Sequence, residues 1–318
     1  MSNILIIGAS GYIGSRLSYS LAKEGNNITA VCHSGILIDK EWCSLMNQVV
    51  VRDITSKDAI EELTNQYYDT AIYLVSLDQK ASNKIPEFVN SINVMPVWNL
   101  LEAFKIKKTL KRFIYFSTIH VYGKLPNVVI DESFAPKPQN PYGLTHLMAE
   151  NISNMYNTTS DIQCINVRLS NSYGSPFFKE NNCWWLVVND ICRMAFTEKR
   201  IVLKSNGSAL RDFIHYEDIF NAIKSILSKH SYDDNTFHLS SGTTNSILQI
   251  AEKVKHVFLN RYGESLPIIL PDNCQVEKKS TKIYTMSNKK LVSTGFKQNF
   301  SLEKGINELF NYLELHEK

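Results

Sequence analysis

No stretch of this chain approaches the roughly 18 consecutive apolar residues of a membrane span. Charge of neither sign dominates: 34 Lys and Arg stand against 31 Asp and Glu, a formal net charge of +3. That balance gives no basis for nucleic acid or an anionic membrane as the main partner. The six cysteines (Cys32, Cys43, Cys164, Cys183, Cys192, Cys274) include no C-x-x-C spacing. This argues against a disulfide framework and a structural zinc site, and buried reduced thiols are expected. His230, His238, His256 and His316 show no ligand spacing, so no metal is expected. The chain starts without a basic segment, a signal-length apolar run or a small-residue cleavage site. A cytoplasmic location is the expectation.

What is present is a 44% hydrophobic composition over 318 residues, enough for one large or two modest domains. Through residue 169 apolar, β-rich runs alternate with amphipathic ones. Strands are predicted at 4–7, 28–31, 47–51, 70–75, 112–116 and 164–169. Helices are predicted at 15–24, 142–156 and, as one long element, 88–104. This alternation predicts an α/β fold with a doubly wound parallel sheet. Beyond residue 169 the pattern loosens. Residues 171–182 are rich in Ser, Asn, Gly and Pro and read as loop. Residues 184–196 and 301–315 read as helices, with a turn at 205–208.

Two motifs carry the chemistry. The first is Ile4-Leu5-Ile6-Ile7-Gly8-Ala9-Ser10-Gly11-Tyr12-Ile13-Gly14. Three glycines between a strand and a helix let the backbone turn sharply and approach a pyrophosphate. The helix start then offers free N–H groups and a favourable dipole. Gly8, Gly11, Tyr12, Ile13 and Gly14 are therefore candidate dinucleotide contacts. Asp53 follows the third strand, beside Ile54, where its carboxylate could accept from an adenine amino group; a turn or cap role fits it equally. The second strand ends in Val31-Cys32-His33-Ser34, without the acid that would hold a ribose 2′-hydroxyl. His33 and Ser34 could tolerate a 2′-phosphate, which favours NADP over NAD. Residues 1–171 are thus read as a dinucleotide-binding domain to which 208–240 returns. Residues 172–318 form mainly a smaller α/β substrate region.

The second motif is Asn140-Pro141-Tyr142-Gly143-Leu144-Thr145-His146. Together with the glycines, Ser117-Thr118-Ile119-His120-Val121-Tyr122-Gly123, Arg168-Leu169-Ser170-Asn171-Ser172-Tyr173-Gly174 and Arg211-Asp212-Phe213-Ile214-His215, it falls in the order of the extended short-chain dehydrogenase/reductases. The chain resembles this family of nucleotide-sugar epimerases, dehydratases and 4-keto reductases over nearly its whole length. The resemblance implies a Rossmann-type fold, a nicotinamide cofactor, a nucleotide-diphosphate sugar substrate and a homodimer through the helices at 88–104 and 142–156. It also implies Tyr142 as acid/base and Thr118 as its hydroxyl partner. Asn171 and Arg211 would meet the diphosphate, and one of the adjacent pair Trp184 and Trp185 would stack on a base or sugar. Arginine suits such a contact because its planar fork pairs with phosphate oxygens.

Two residues depart from the family pattern. His146 stands at i+4 from Tyr142, on the same helix face, where the family has lysine. Histidine is shorter and mostly neutral at pH 7. It could replace the lysine, leave the acid/base work to another group, or mark impaired catalysis with binding kept. His120 stands in a sugar-facing place where dehydratases carry an acid, which argues against 4,6-dehydration. It could move a proton or simply line the pocket. The expected activity is reduction of a 4-keto sugar nucleotide. The alternatives are a 4-epimerase with tightly held NAD and a catalytically impaired binding protein.

Overall fold

The computed structural model describes residues 1–33, 39–232, 234–271 and 284–317. Ser34 and Cys274 lie outside them. The chain divides into two compact units. The first comprises residues 1–124, 132–169 and 227–238; the second comprises 125–131, 170–226 and 239–318. Of the 208–240 stretch expected to return to the first domain, only 227–238 falls in the first unit.

The first unit is built on a seven-stranded sheet. Its strands are β1 (Asn3–Ile7), β2 (Asn27–Cys32), β3 (Gln48–Val51), β4 (Tyr68–Tyr73), β5 (Leu110–Thr118), β6 (Gln163–Leu169) and β7 (Thr236–Leu239). They lie in the order β7-β6-β5-β4-β1-β2-β3. The β1–β2, β2–β3, β1–β4, β4–β5 and β5–β6 pairs are all parallel. Order reverses beside β1, so the loops after β1 and β4 diverge and leave a crevice at the strand ends. Ile4, Leu5, Ile6 and Ile7 are all buried, as an inner parallel strand covered on both faces requires.

The helices of this unit are α1 (Tyr12–Lys23), α2 (Lys40–Leu45), α3 (Lys57–Thr64), α4 (Pro86–Asn93), α5 (Met95–Lys107) and α6 (Pro141–Thr159). The single helix predicted at 88–104 is thus two. The break falls at Val94 (φ −118°, ψ −54°), just before Pro96 in the first turn of α5. Proline has no N–H to give the preceding turn, and its ring clashes there. The apolar periodicity runs through this break, which is why it reads as one helix. Val97, Leu100, Leu101 and Phe104 of α5 pack with Tyr115 of β5 and Tyr156 of α6 in one buried cluster.

Helix α6 begins with good local chemistry. Pro141 occupies the first turn, and the Asn140 side chain accepts from the Gly143 N–H at 2.8 Å. Its middle is pinned by charge. Glu150, 1% exposed, pairs with Arg168 of β6 through Nη2–Oε2 at 2.7 Å and Nε–Oε1 at 3.0 Å. The Ser117 hydroxyl of β5 donates to the same carboxylate. Arg168 also donates to the Tyr122 hydroxyl at 2.7 Å, and that hydroxyl meets His238 Nε2. Burial alone would lower the Arg168 pKa, yet its bonds to Glu150 raise it, so the guanidinium stays charged.

The second unit holds a three-stranded sheet of Asn171–Tyr173, Leu210–His215 and Thr244–Ser246. The loop predicted at 171–182 therefore begins as a strand, because its first three residues pair with 213–215. Around the sheet lie α7 (Val187–Glu198), α8 (Tyr216–Leu227), α9 (Ile247–Tyr262), α10 (Lys289–Val292) and α11 (Leu302–His316). Ser246 and Gln249 form a reciprocal capping box that starts α9. The five described cysteines are free, and all but Cys43 are buried.

The pinned charge predicts a large mutational effect. Glu150→Ala leaves Arg168 buried without its counter-ion and should lower unfolding stability by about 3–5 kcal/mol. Urea denaturation of the two proteins side by side checks this, and an unchanged midpoint contradicts it.

Candidate active site

The glycine turn takes the shape its spacing predicts. Gly8 has φ +90°, and Gly8 and Ala9 donate to the Val31 carbonyl at 3.0 and 2.9 Å. A β-carbon on Gly14 would lie 2.1 Å from the Gly8 carbonyl oxygen, so the helix can approach the turn this closely only without a side chain there. Gly11 caps α1, and Tyr12 and Ile13, half-buried, form its first turn. A helix start directly after a strand end is the arrangement that receives an anion.

The other expected cofactor residues divide. His33 is exposed at the end of β2. Asp53 is occupied: its Oδ1 accepts from the Thr55 N–H at 2.9 Å and the Thr55 hydroxyl at 2.8 Å. Those bonds, with the backbone one largest, hold its carboxyl below the ordinary range. The geometry at Oδ1 is that of a turn. Ile54 is 5% exposed and belongs to the core cluster.

The second constellation gathers on α6 and the end of β5. Tyr142 is half-buried. Burial raises its pKa, a hydrogen bond with Thr118 lowers it, and the Asp78 carboxylate raises it again. Thr118 is buried at the end of β5, and its hydroxyl also accepts from the His120 N–H at 3.3 Å. The His120 ring stands edge-on to Tyr142 with centroids 5.6 Å apart. The His146 ring stands edge-on too, at 4.6 Å. Thus Tyr142, Thr118, His120 and His146 come together as expected. Gly143 makes this possible, since a β-carbon there would fall 2.4 Å from the His120 carbonyl oxygen.

His146 is 3% exposed. Its Nδ1 lies 2.8 Å from the Tyr115 hydroxyl, while its Nε2 is buried with no hydrogen-bond partner among the described residues. Burial first, then neighbouring His120, lowers its pKa to about 3. The ring is therefore neutral across the working pH range. Sequence reasoning missed Tyr115, Asp78 and Asn93. Asn93 accepts from the Leu77 N–H at 2.8 Å and donates to Thr145 of α6 at 3.0 Å, tying the segment after β4 to the helix. All three stand far in sequence from α6, and no motif flags them.

The expected substrate residues lie in the second unit. Asn171 donates to the Asp212 carbonyl at 2.9 Å. Asp212 is fully buried and accepts from Ser170 at 2.8 Å and from the Ser241 N–H at 2.9 Å. Neighbouring Arg211 donates to its own neighbour's carbonyl, that of Leu210, at 2.7 Å, and its guanidinium also meets the Tyr284 hydroxyl. Arg211 is not paired with Asp212 or Glu217. Trp184 packs on the core of this unit, its ring 6.0 Å from Tyr312 with the Arg193 guanidinium 5.4 Å above it. Trp185 is the exposed member of the pair, at 64%. Among the described residues no cluster of three His, Cys, Asp or Glu could hold a metal ion.

A doubly wound sheet with a glycine turn after β1 and a tyrosine–threonine pair after β5 defines a dinucleotide-binding enzyme fold. A sequence model of the NAD dependent epimerase/dehydratase family matches residues 4–239, and the chain belongs to that family of NAD-dependent enzymes. Among its relatives is the CDP-abequose synthase of Salmonella typhimurium, 25% identical over 327 residues and 98% of both chains. The UDP-glucose 4-epimerase of Mycoplasma genitalium is 26% identical over 281 residues, 81% of this chain and 82% of that one. A trifunctional UDP-glucose 4,6-dehydratase/UDP-4-keto-6-deoxy-D-glucose 3,5-epimerase/UDP-4-keto-L-rhamnose-reductase of Arabidopsis thaliana is 24% identical over 335 residues. The match covers 98% of this chain and 47% of that protein, so the chain spans about half its length. The fold is shared with UDP-glucose 4-epimerase from Thermotoga maritima, solved with UDP-glucose. The TM-score is 0.83 at 20% identity, covering 99% of this chain and 100% of the other.

The glycine geometry yields a direct test. Gly14→Ala should weaken binding of an added nicotinamide dinucleotide by roughly tenfold or more, about 1.4 kcal/mol, because the turn and helix must part. Calorimetric titration, with circular dichroism confirming the fold, measures it; unchanged affinity contradicts the assigned cradle.

Proposed function

We propose that the chain is a nicotinamide-dependent oxidoreductase acting on a nucleotide-activated sugar, and that it reduces a 4-keto sugar nucleotide. The observation that carries this reading is the gathering of Tyr142 with His120, His146 and Thr118 at the end of the strand next to β4, in the same unit as the glycine turn. A hydroxyl pair of this kind can hold a sugar oxygen and pass it a proton. Membership of the family and the activities of the relatives support the substrate class.

The residues present fit a dinucleotide. The turn at Gly8, Gly11 and Gly14 and the first N–H groups of α1 would take the pyrophosphate. Exposed His33, at a β2 end without a carboxylate, would tolerate a 2′-phosphate, and this favours NADP. The orphaned, buried Nε2 of His146 is the kind of polar atom a ligand oxygen would satisfy. The bound cofactor supplies or accepts the hydride. Thr118 orients the sugar oxygen, Tyr142 gives or takes its proton, and His120 lines the same side of the Tyr142 ring. Asn171, Arg211 and an aromatic at 184 or 185 would meet the nucleotide diphosphate. A homodimer through α5 and α6 accords with exposed Trp98, Leu144, Met148 and Met155. The expected location is the cytoplasm.

A second reading, 4-epimerisation with retained NAD, is favoured by the relatives named as 4-epimerases. Mass spectrometry of small molecules released on denaturation separates the two. Near-stoichiometric NAD supports the epimerase. NADP(H), or an empty protein that binds added NADPH and consumes it with a 4-keto sugar nucleotide, supports the reductase. Tyr142→Phe should reduce kcat about 10²–10⁴-fold; a smaller change assigns the proton to another group.

A further inference from the structure

The hydrogen bonding around His146 fixes more than its position. Tyr115 is buried in β5, and among the described residues its hydroxyl has one hydrogen-bond partner, His146 Nδ1. Two proton arrangements could make this bond. If Nδ1–H donates to Tyr115, the phenol proton is left without an acceptor and Nε2 keeps an unused lone pair. If Tyr115 O–H donates to Nδ1, a single group is left over, the Nε2–H. An unsatisfied buried donor or acceptor costs about 1–3 kcal/mol. The second arrangement strands one polar group where the first strands two, so it is favoured.

The ring is thus the neutral tautomer with its proton on Nε2. A second proton at Nδ1 would reverse the Tyr115 bond and leave the phenol proton without an acceptor. The groups facing Tyr142 are His146 on its own helix, His120 and Thr118 at the end of β5, and Asp78 after β4. The i+4 position, one helical turn along, holds a neutral ring, and the facing carboxylate of Asp78 disfavours a phenolate. We propose that Tyr115 is a positioning residue: its hydroxyl fixes the buried, neutral His146 ring as the Nε2–H tautomer, and this uncharged ring leaves Tyr142 a phenol that gives its proton to a carbonyl oxygen at neutral pH.

This rests on the reductase reading and sets its direction. In that direction the carbonyl carbon takes hydride from a reduced nicotinamide, which is oxidised. The C=O π pair moves to oxygen and becomes the new O–H bond with the proton from Tyr142. The phenolate left behind recovers a proton from water. The reverse reaction needs a phenolate at the start. Tyr142 works as an acid only while protonated, so reduction persists up to its folded pKa and is lost above it. Burial and Asp78 raise that pKa, outweighing Thr118, which moves the loss to more alkaline pH. Alcohol oxidation follows the opposite limb and appears only there.

The test needs no substrate for its first arm. Phenolate absorbance of wild type minus Tyr142→Phe, followed against pH, should show Tyr142 ionising at higher pH than free tyrosine. Nitrogen NMR of histidine-labelled protein, with His146 assigned by its loss in His146→Gln, should show Nδ1 unprotonated and Nε2 protonated. Tyr115→Phe should blur this into a tautomer mixture and lower kcat for reduction by about tenfold, the worth of one hydrogen bond, with KM little changed. A Tyr142 phenolate at neutral pH, or the wild-type tautomer retained in Tyr115→Phe, overturns the proposal. Should Tyr115→Phe not fold, the titration and the wild-type tautomer still decide. If these hold but no keto sugar nucleotide is reduced, the reductase reading fails and the proton arrangement stands.

Discussion

The buried pair of Glu150 and Arg168 governs how α6 sits against β5 and β6. Tyr142, His146 and Glu150 are spaced i, i+4, i+8 and so lie along one face of α6. Fixing the last of them fixes the rotation of the helix and hence the aim of the other two. Arg168 reaches Glu150 from β6, and Ser117 reaches it from β5, one residue before Thr118. The helix is therefore registered against the very strand end that carries the hydroxyl partner of Tyr142. A buried ion pair is weak support for stability as such, since desolvation offsets much of its attraction. What it gives here is a single angular setting, with the remaining lone pairs satisfied by a serine hydroxyl.

The electrostatic character of the tyrosine site follows from the same setting. A lysine at position 146 would bring a lasting positive charge one helical turn from Tyr142. The histidine instead lies against Tyr115, too deeply buried to ionise. Two histidine rings, at 120 and 146, stand edge-on to Tyr142, yet the one at 146 brings no charge.

The sheet, its parallel sense and the glycine turn were legible in the sequence because each rests on local pattern: apolar runs, helical spacing and glycines at a strand-to-helix junction. The meeting of Tyr142, Thr118, His120 and His146 was legible because the motif order carries it. Other features were not. The break at Val94 lies inside an unbroken apolar periodicity, and Pro96 alone marks it. Asp53 could serve a ligand or a turn, and only the Thr55 contacts show the turn. Trp184 and Trp185 are adjacent and identical, so sequence cannot say which one faces inward. Tyr115 sits in a strand of buried aromatics and aliphatics, where a hydroxyl leaves no trace in the pattern; its partner is 31 residues away.

The contact at Gly143 ties helix position to side-chain geometry by an absence. The distance between the His120 and Tyr142 rings is the width left when α6 rests directly on the backbone of residue 120. One extra methyl at 143 would act as a wedge, lifting the helix start and carrying Tyr142 away from Thr118 while touching no ligand. The spacing of the reacting groups is thus written in the main chain, and a variant with no reactive group of its own would change its gauge.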